Sequence, residues 1–238
     1  MQLNIETKSV PSRTIKDEVD KHCKDIENTT GRKPGKMVRR ELSDEVLKDM
    51  LPAAFPKLAT VTVWIDPVRA LLVIGATGNS KTDTVISALV QGIPGLQLRM
   101  LNTILSPRAA MTQWLLDADT WPGQFRVGRE CALERPNDGA RIRFVRHDLM
   151  TNEMREHITA GNQPTQLAMD WSDKASFVLT DTLALKKIEL LGDELSASPH
   201  EDRFDADVAI ATGTLGAVID ELIEALGGEY VAPVASAD

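Results

Sequence analysis

The chain has 238 residues, of which 42% are hydrophobic and 26% are charged, as in a globular protein large enough to bury a core. No apolar run reaches the roughly 20 residues of a membrane span, and the first residues lack the apolar stretch of a signal peptide, so we expect a cytoplasmic protein. The two cysteines, Cys23 and Cys131, are too few for a disulfide scaffold and too far apart for a zinc knuckle.

The net charge of −8 argues at first against a nucleic-acid partner, but the charge is segregated along the chain. Residues 192–238 hold eleven acids and one base, a local charge of −10, so the remainder carries +2. Residues 126–146 contain six arginines and three acids. Another stretch, residues 31–40, contains no acid and five bases, which are Arg32, Lys33, Lys36, Arg39 and Arg40. Such segregation is typical of an anion-binding face, although a charge run is more often merely solvated surface.

The N-terminal quarter predicts a strand followed by a helical hairpin. Alternating apolar residues predict a strand over Gln2–Thr7, and apolar residues at helical spacing predict a helix over Thr14–Glu27. The basic stretch then forms a loop. Ser43 resembles the N-cap of a second helix, which Pro52 ends. Residues 13–59 therefore predict a projecting helical hairpin with a basic tip and little core of its own.

The rest of the chain mixes strands and helices without a regular βαβ alternation. Strands are predicted at Thr60–Asp66, Arg69–Ile74, Leu96–Leu101, within 124–147, and at Thr165–Trp171, Ala175–Leu179, Leu183–Leu190 and Asp207–Thr212. Helices are predicted at Ser80–Gln91, from Ser106-Pro107 onward, and at Asp148–Ala160 and Thr214–Leu226, with the last ten residues disordered. We therefore expect an α+β fold with mixed or antiparallel sheets.

The sharpest enzymatic feature is the Gly75–Thr82 loop, Gly-Ala-Thr-Gly-Asn-Ser-Lys-Thr, between a predicted strand and a predicted helix. This is the context of a phosphate-binding P-loop, in which Lys81 would contact phosphate. The P-loop pattern requires glycine directly before the lysine, and this chain has Ser80, which is equally well explained as a helix N-cap. A P-loop NTPase therefore stays an alternative to a non-enzymatic function.

The sequence indicates no metal, no cofactor and no small-molecule substrate. The four histidines lack ligand spacing, and no Ser, Cys or Lys stands in a nucleophile motif. Acidic residues at 201–207 are more typical of a solvated loop than of a cation site. We accordingly expect a protein that is not an enzyme.

Collinear segments along nearly the whole chain resemble the recombination-associated RdgC family. No single segment is decisive, but their order is specific. The matching segments are Asp44–Phe55, Trp64–Asp66, Met111–Leu115, Arg143 with Asp148-Leu149, His157–Gly161, Leu167–Trp171, Phe177–Leu179, Arg203–Asp207, Thr212-Gly213 and Ala225–Glu229.

This resemblance implies a horseshoe-like subunit with a helical tip, a central region and a base. The corresponding divisions are 13–59 for the tip, 1–12 with 60–147 for the central sheet region, and 148–238 for the base with its C-terminal helix and disordered tail. Two subunits would close into a homodimeric ring that binds double-stranded DNA without sequence preference, associates with the nucleoid and modulates the recombinase RecA. The implied DNA-binding residues are the five tip bases together with Phe55, Arg143, Arg146 and His147.

The resemblance also implies that family members usually carry a further N-terminal segment that completes the central sheet, and we expect this chain to begin after that segment. A shortened chain suggests an alternative in which it acts as an interaction module that pairs with a full-length relative.

Overall fold

The computed structural model describes residues 1–76, 78–191 and 203–231, without the side chains of residues 203 and 204. The described residues form helices and two antiparallel sheets, so the predicted α+β class is confirmed. The chain folds as two compact units, Met1–Gln97 (unit 1) and Leu98–Asp238 (unit 2). The horseshoe with tip, centre and base stays a prediction.

Unit 1 combines a three-stranded sheet with a helical hairpin. Its elements are β1 (Gln2–Lys8), α1 (Ser12–Thr30), α2 (Lys36–Met50), β2 (Pro56–Asp66), β3 (Leu71–Ile74) and α3 (Asn79–Gly92). The sheet has the order β1-β2-β3. Because β1 pairs with β2 from Gln2–Thr62 to Lys8–Pro56, the α1–α2 hairpin is an insertion at one end of two paired strands.

Two separate apolar clusters stabilise unit 1. Val61 and Val63 lie on the same face of β2, since alternate strand residues share a face, and pack with Val85 and Leu89 of α3. The helical hairpin has its own small cluster of Val19, Cys23 and Val46. Three buried residues agree with the prediction that the hairpin has little core of its own, while its projection from the rest of the chain stays a prediction.

Unit 2 contains a five-stranded sheet in the order β5-β4-β6-β7-β8, with helices on one face. Its elements are α4 (Pro107–Leu116), a 3₁₀ turn (Ala118–Thr120), β4 (Phe125–Glu134), β5 (Arg141–Val145), α5 (Asn152–Thr159), β6 (Gln163–Trp171), β7 (Ala175–Thr180), β8 (Leu185–Leu190) and α6 (Arg203–Ala225). The sheet packs against α4 and α6 through buried side chains such as Met111, Phe125, Leu167 and Leu222.

Two predicted boundaries in unit 2 are confirmed, and the structure shows the physical cause of each. Ser106 caps α4 by accepting a hydrogen bond from the Ala109 amide, and Pro107 occupies the first helical position. Ser172 and Asp173 form the tight β6–β7 turn with positive φ angles of 51° and 53°. Two polar residues with positive φ match the strand twist that a short hairpin requires.

Four sequence predictions are wrong: two helix starts, one helix N-cap and one strand that is helical. Helix α2 begins at Lys36 rather than Ser43, because residues 36–41 are good helix formers and Gly35 supplies the extended N-cap. Helix α3 has its N-cap at Gly78, so Ser80 lies inside the helix. Helix α5 begins at Asn152, because the Thr151 hydroxyl caps it through the Met154 amide. The predicted strand Asp207–Thr212 is helical and belongs to α6.

The predicted strand Leu96–Leu101 is also wrong. Gly95 turns the chain with a φ of +80°, and residues 97–101 have no strand assignment. The alternating apolar side chains at Leu98 and Met100 are 36% and 72% exposed, so the pattern meets no partner sheet. The predicted disorder of the last ten residues falls largely on 232–238, outside the described residues.

Candidate nucleic-acid interface

The basic stretch of unit 1 connects the two helices of the hairpin and continues into α2. Gly31 ends α1 in the left-handed conformation with a φ of 71°, and α2 begins five residues later. Lys36, Arg39 and Arg40 therefore lie on the first turns of a helix and not in a loop. Lys36 and Arg40 are four residues apart and share one helical face.

The five bases of this stretch divide into paired and unpaired side chains. Arg39 forms an ion pair with Asp20 of α1, and Lys33 lies 3.8 Å from Glu27. In the described part of the chain, no acidic side chain forms an ion pair with Arg32, Lys36 or Arg40, all of which are exposed. We call these three residues the tip cations.

The tip cations lie close in sequence to the N-terminus of α2, which is the positive end of the helix dipole: Arg32 precedes the helix by four residues, Lys36 begins it, and Arg40 lies one turn further on. The first turn of α2 contains no acid, and its N-cap Gly35 contributes no side-chain hydrogen bond. The positive end of the helix dipole repels cations. An anion at this position would accept hydrogen bonds from the unpaired backbone amides of the first turn. The arrangement favours binding of a negatively charged ligand such as phosphate.

Phe55 is 91% exposed, which is unusual for so large an apolar side chain. It lies directly before β2, at the strand end of the hairpin. Helix α2 spans about 20 Å, so Phe55 and Lys36 lie near opposite ends of this helix. The structure therefore does not bring the aromatic side chain together with the basic connection between the helices.

In unit 2, Arg146 and His147 lie in the connection that follows β5. Arg146 adopts a φ of +55°, and its carbonyl accepts a hydrogen bond of 3.0 Å from the Arg129 guanidinium. The His147 amide donates to the Arg129 carbonyl at 3.1 Å. This left-handed conformation costs of order 1–3 kcal/mol, and the two contacts with Arg129 hold it in place.

The two side chains of this connection differ in their surroundings. The His147 ring packs against Phe144 with centroids 5.5 Å apart, and its Nε2 lies 4.0 Å from Glu153. The Arg146 side chain is exposed and has no ion-pair partner within the described ranges. Arg146 is therefore the residue of this connection whose charge is available to an external anion.

Arg143 is engaged by Glu130 of the neighbouring strand β4 at 2.7 Å. Lys187 of β8 contacts the same carboxylate at 2.6 Å. Lys187 is not predictable as a site residue from the sequence, because the adjacent Lys186-Lys187 pair is typical of an ordinary solvated strand. The linear sequence also gives no sign that Glu130 joins residues that are 13 and 57 positions away.

The hydrogen bonds from Lys187 and then Arg143 hold the pKa of Glu130 below its ordinary value of 4.5. A carboxylate with a lowered pKa in the folded state contributes stability above pH 4.5, and this contribution is lost as the pH falls through the lowered pKa. We expect Glu130→Gln to lower the free energy of unfolding near neutral pH and to match the unchanged protein at strongly acidic pH. Urea unfolding at a series of pH values tests this, and a difference that persists in acid would contradict it.

The Gly75–Thr82 loop gives the P-loop hypothesis no support. The amides of Lys81 and Thr82 donate to the Gly78 carbonyl at 3.1 Å each, as in the first turn of an ordinary helix. Strand β3 before the loop belongs to an antiparallel sheet, whereas a P-loop follows a strand of a parallel βαβ unit. Thr77 of the loop lies outside the described residues.

Neither a metal cluster nor a membrane helix is found in the parts of the chain that the structure describes. No group of three or more His, Cys, Asp or Glu side chains is placed to hold a metal ion there. No described helix combines the length and the apolar character that crossing a membrane requires. The buried thiol of Cys131 has its pKa raised to about 12 by desolvation, which makes it unreactive.

Comparison with known proteins identifies the family. The family model described as "Putative exonuclease, RdgC" matches residues 1–229. The chain belongs to the RdgC family. Relatives named recombination-associated protein RdgC include one from Herminiimonas arsenicoxydans, 40% identical over 95% of this chain and 77% of its own length.

Further RdgC relatives match over a similar extent. The protein from Cupriavidus pinatubonensis is 37% identical over 96% of this chain and 78% of its own length. The protein from Bordetella pertussis is 36% identical over the same shares. These matches confirm the resemblance that the collinear segments indicated and connect this RdgC chain with recombination.

Proposed function

We propose that this RdgC chain binds double-stranded DNA without sequence preference, as a homodimer that associates with the nucleoid and modulates RecA-dependent recombination. One observation carries the proposal. Three exposed, unpaired cations gather at the N-terminus of α2, while the acids of the sequence concentrate after residue 192. Such cations neutralise phosphates and release counterions, which gives affinity without reading bases.

The test is a salt series with fluorescent duplexes of about 30 base pairs and two unrelated sequences, between about 50 and 200 mM NaCl. We expect both duplexes to bind equally and to lose affinity steeply as salt rises. A lack of binding at the lowest salt, or a strong preference for one sequence, would exclude the proposal.

The homodimer is a separate part of the proposal, supported by the family resemblance. Light scattering on the purified chain should give twice the chain mass of 26.1 kDa. A monomer that forms a pair only when a longer RdgC relative is added would instead favour the interaction-module alternative.

Arg143 and Arg146 differ in whether an acid already pairs with them, so their effects on DNA binding can be compared directly. We expect Arg146→Ala to weaken binding to all duplexes alike and to reduce the slope of log affinity against log salt by up to about 0.9. Arg143→Ala should have the smaller effect, because Arg143 is already held by Glu130 at 2.7 Å. Equal effects of both changes, measured by fluorescence anisotropy, would show that the internal ion pair does not determine which arginine meets DNA.

The family model is described as "Putative exonuclease, RdgC", and an exonuclease would shorten linear DNA. The purified protein can be tested for this activity. Hydrolysis of DNA by metal ions requires carboxylates that converge on them. We expect linear duplexes to stay full-length after incubation with Mg²⁺ or Mn²⁺. Shortened products that track with purified protein would establish an enzyme and overturn the non-enzymatic proposal.

A further inference from the structure

The Glu130 carboxylate connects two strands that are not neighbours in the sheet. In the order β5-β4-β6-β7-β8, strands β6 and β7 lie between Glu130 on β4 and Lys187 on β8. Neighbouring strands are about 4.8 Å apart, so three spacings in a flat sheet are about 14 Å, which a lysine and a glutamate together could span only if both lay fully extended in the plane of the sheet. Side chains of a strand instead stand roughly perpendicular to the sheet. The 2.6 Å contact therefore requires the sheet to curl over the face opposite its helices.

Local irregularities produce this curl. The β4–β6 register shifts between Val127 and Cys131, the interval that contains Glu130, and the β7–β8 register shifts between Ser176 and Val178. Lys187 itself has a φ of +49°. Bulges of this kind bend strands and redirect side chains, and here they direct Lys187 and Glu130 towards each other.

The face of the sheet beneath this contact is closely packed. A side chain at Gly128 would come within 3.0 Å of the Ala168 Cβ atom, so the strands approach closely there. Val178, paired with Ala168 in the sheet, is only 4% exposed although it points away from the helices. The Glu130 ion pairs thus lie over a packed surface and not on a loosely ordered loop.

Two cations converge on one oxygen of Glu130. Arg143 donates to Oε1 at 2.7 Å, and Lys187 donates to Oε1 at 2.8 Å and to Oε2 at 2.6 Å. The Glu130 side chain is 19% exposed, whereas those of Arg143 and Lys187 are 61% and 56% exposed. The two donors therefore remain accessible to a second anion from solvent.

We propose that Arg143 and Lys187 form a phosphate-binding pair and that Glu130 is a built-in competitor that occupies this pair when DNA is absent. The inference rests on the proposed function and adds to it a residue, Lys187, and a form of regulation. A carboxylate and a phosphodiester both carry one negative charge and both accept from an arginine and a lysine. Because Glu130 is tethered, it competes at a high effective concentration and lowers the affinity for DNA.

The test compares Glu130→Gln with Glu156→Gln. Glu156 is an exposed residue of α5 in the same unit, so its replacement removes the same charge without releasing the pair. We expect Glu130→Gln to bind a duplex of about 30 base pairs more tightly than Glu156→Gln at about 50 mM NaCl, with a slope of log affinity against log salt steeper by about 0.9. Between about 50 and 200 mM NaCl, its affinity should fall about 3-fold further than that of the control.

A second substitution tests whether the expected gain in DNA affinity depends on Lys187. Adding Lys187→Gln to Glu130→Gln should remove the gain, and adding Lys174→Gln, an exposed base at the β6–β7 turn, should leave it in place. Lys187→Gln alone changes an exposed side chain and is expected to fold, which thermal unfolding checks. That single variant should also bind DNA more weakly than Lys174→Gln.

Each outcome separates this inference from the proposed function. If the unchanged protein binds DNA and Glu130→Gln behaves like Glu156→Gln, the built-in competitor is excluded while DNA binding stands. If only Glu130→Gln binds, the phosphate-binding pair stands and the proposed function of the unchanged protein fails. If neither binds, both are excluded, and a gain that survives Lys187→Gln excludes the role of Lys187.

Discussion

Replacing Arg32, Lys36 and Arg40 together with glutamine is expected to lower the affinity for duplex DNA by on the order of a hundred-fold near 100 mM salt. The reason is that these exposed cations have no acid partner among the described residues, so each is available to neutralise a phosphate. The slope of log affinity against log salt should become shallower by about 0.9 for each lost phosphate contact. Fluorescence anisotropy over a salt series measures both quantities.

The same helical hairpin supplies a matched control. Lys21, Lys33 and Arg39 also carry three positive charges, but they pair with Glu18, Glu27 and Asp20 respectively. Replacing these three with glutamine changes the net charge by the same amount and should weaken binding much less. Equal losses in both triple variants would mean that only the net charge of the hairpin matters, and unchanged affinity would mean that DNA does not contact this connection.

The basic stretch illustrates how far the sequence alone leads. The cluster of five bases is visible because the residues are adjacent, and the hairpin is predictable because Val19 and Cys23 repeat at helical spacing. The division into paired and unpaired cations is not visible, since Asp20 reaches Arg39 from another helix. The helical position of Lys36 was also missed, because a Ser-Asp-Glu sequence imitates a helix start seven residues later.

The sheet of unit 2 shows a second kind of limit on sequence-based prediction. The strands themselves follow from alternating apolar residues, and the β6–β7 hairpin was predicted nearly to the residue. Strand bulges leave no reliable trace in the sequence, however, and they bring Glu130 to Lys187. The strand predicted at Asp207–Thr212 was wrong for another reason, since β-branched residues are tolerated in a helix when its buried stripe continues through Val218 and Leu222.

Among the substitutions considered, Phe125→Ala is expected to lower the stability of the protein most. Phe125 is 1% exposed and meets Phe177 edge-to-face with ring centroids 6.1 Å apart. Phe125→Ala removes this packing and leaves a cavity, so we expect the free energy of unfolding to fall by about 3–5 kcal/mol. Three of the four tryptophans, Trp114, Trp121 and Trp171, lie in unit 2, so tryptophan fluorescence during urea unfolding reports on this change.

Phe55→Ala is the same chemical change at a side chain that is 91% exposed, and it should alter the free energy of unfolding by no more than about 0.5 kcal/mol. Its effect is expected instead in self-association and DNA binding, because a phenylalanine ring that is almost fully exposed is suited to contact another molecule. Light scattering and anisotropy on the same preparation separate the two effects. A loss of stability at Phe55 as large as that at Phe125 would contradict its exposure, and unchanged association and binding would leave Phe55 without a place in the interface.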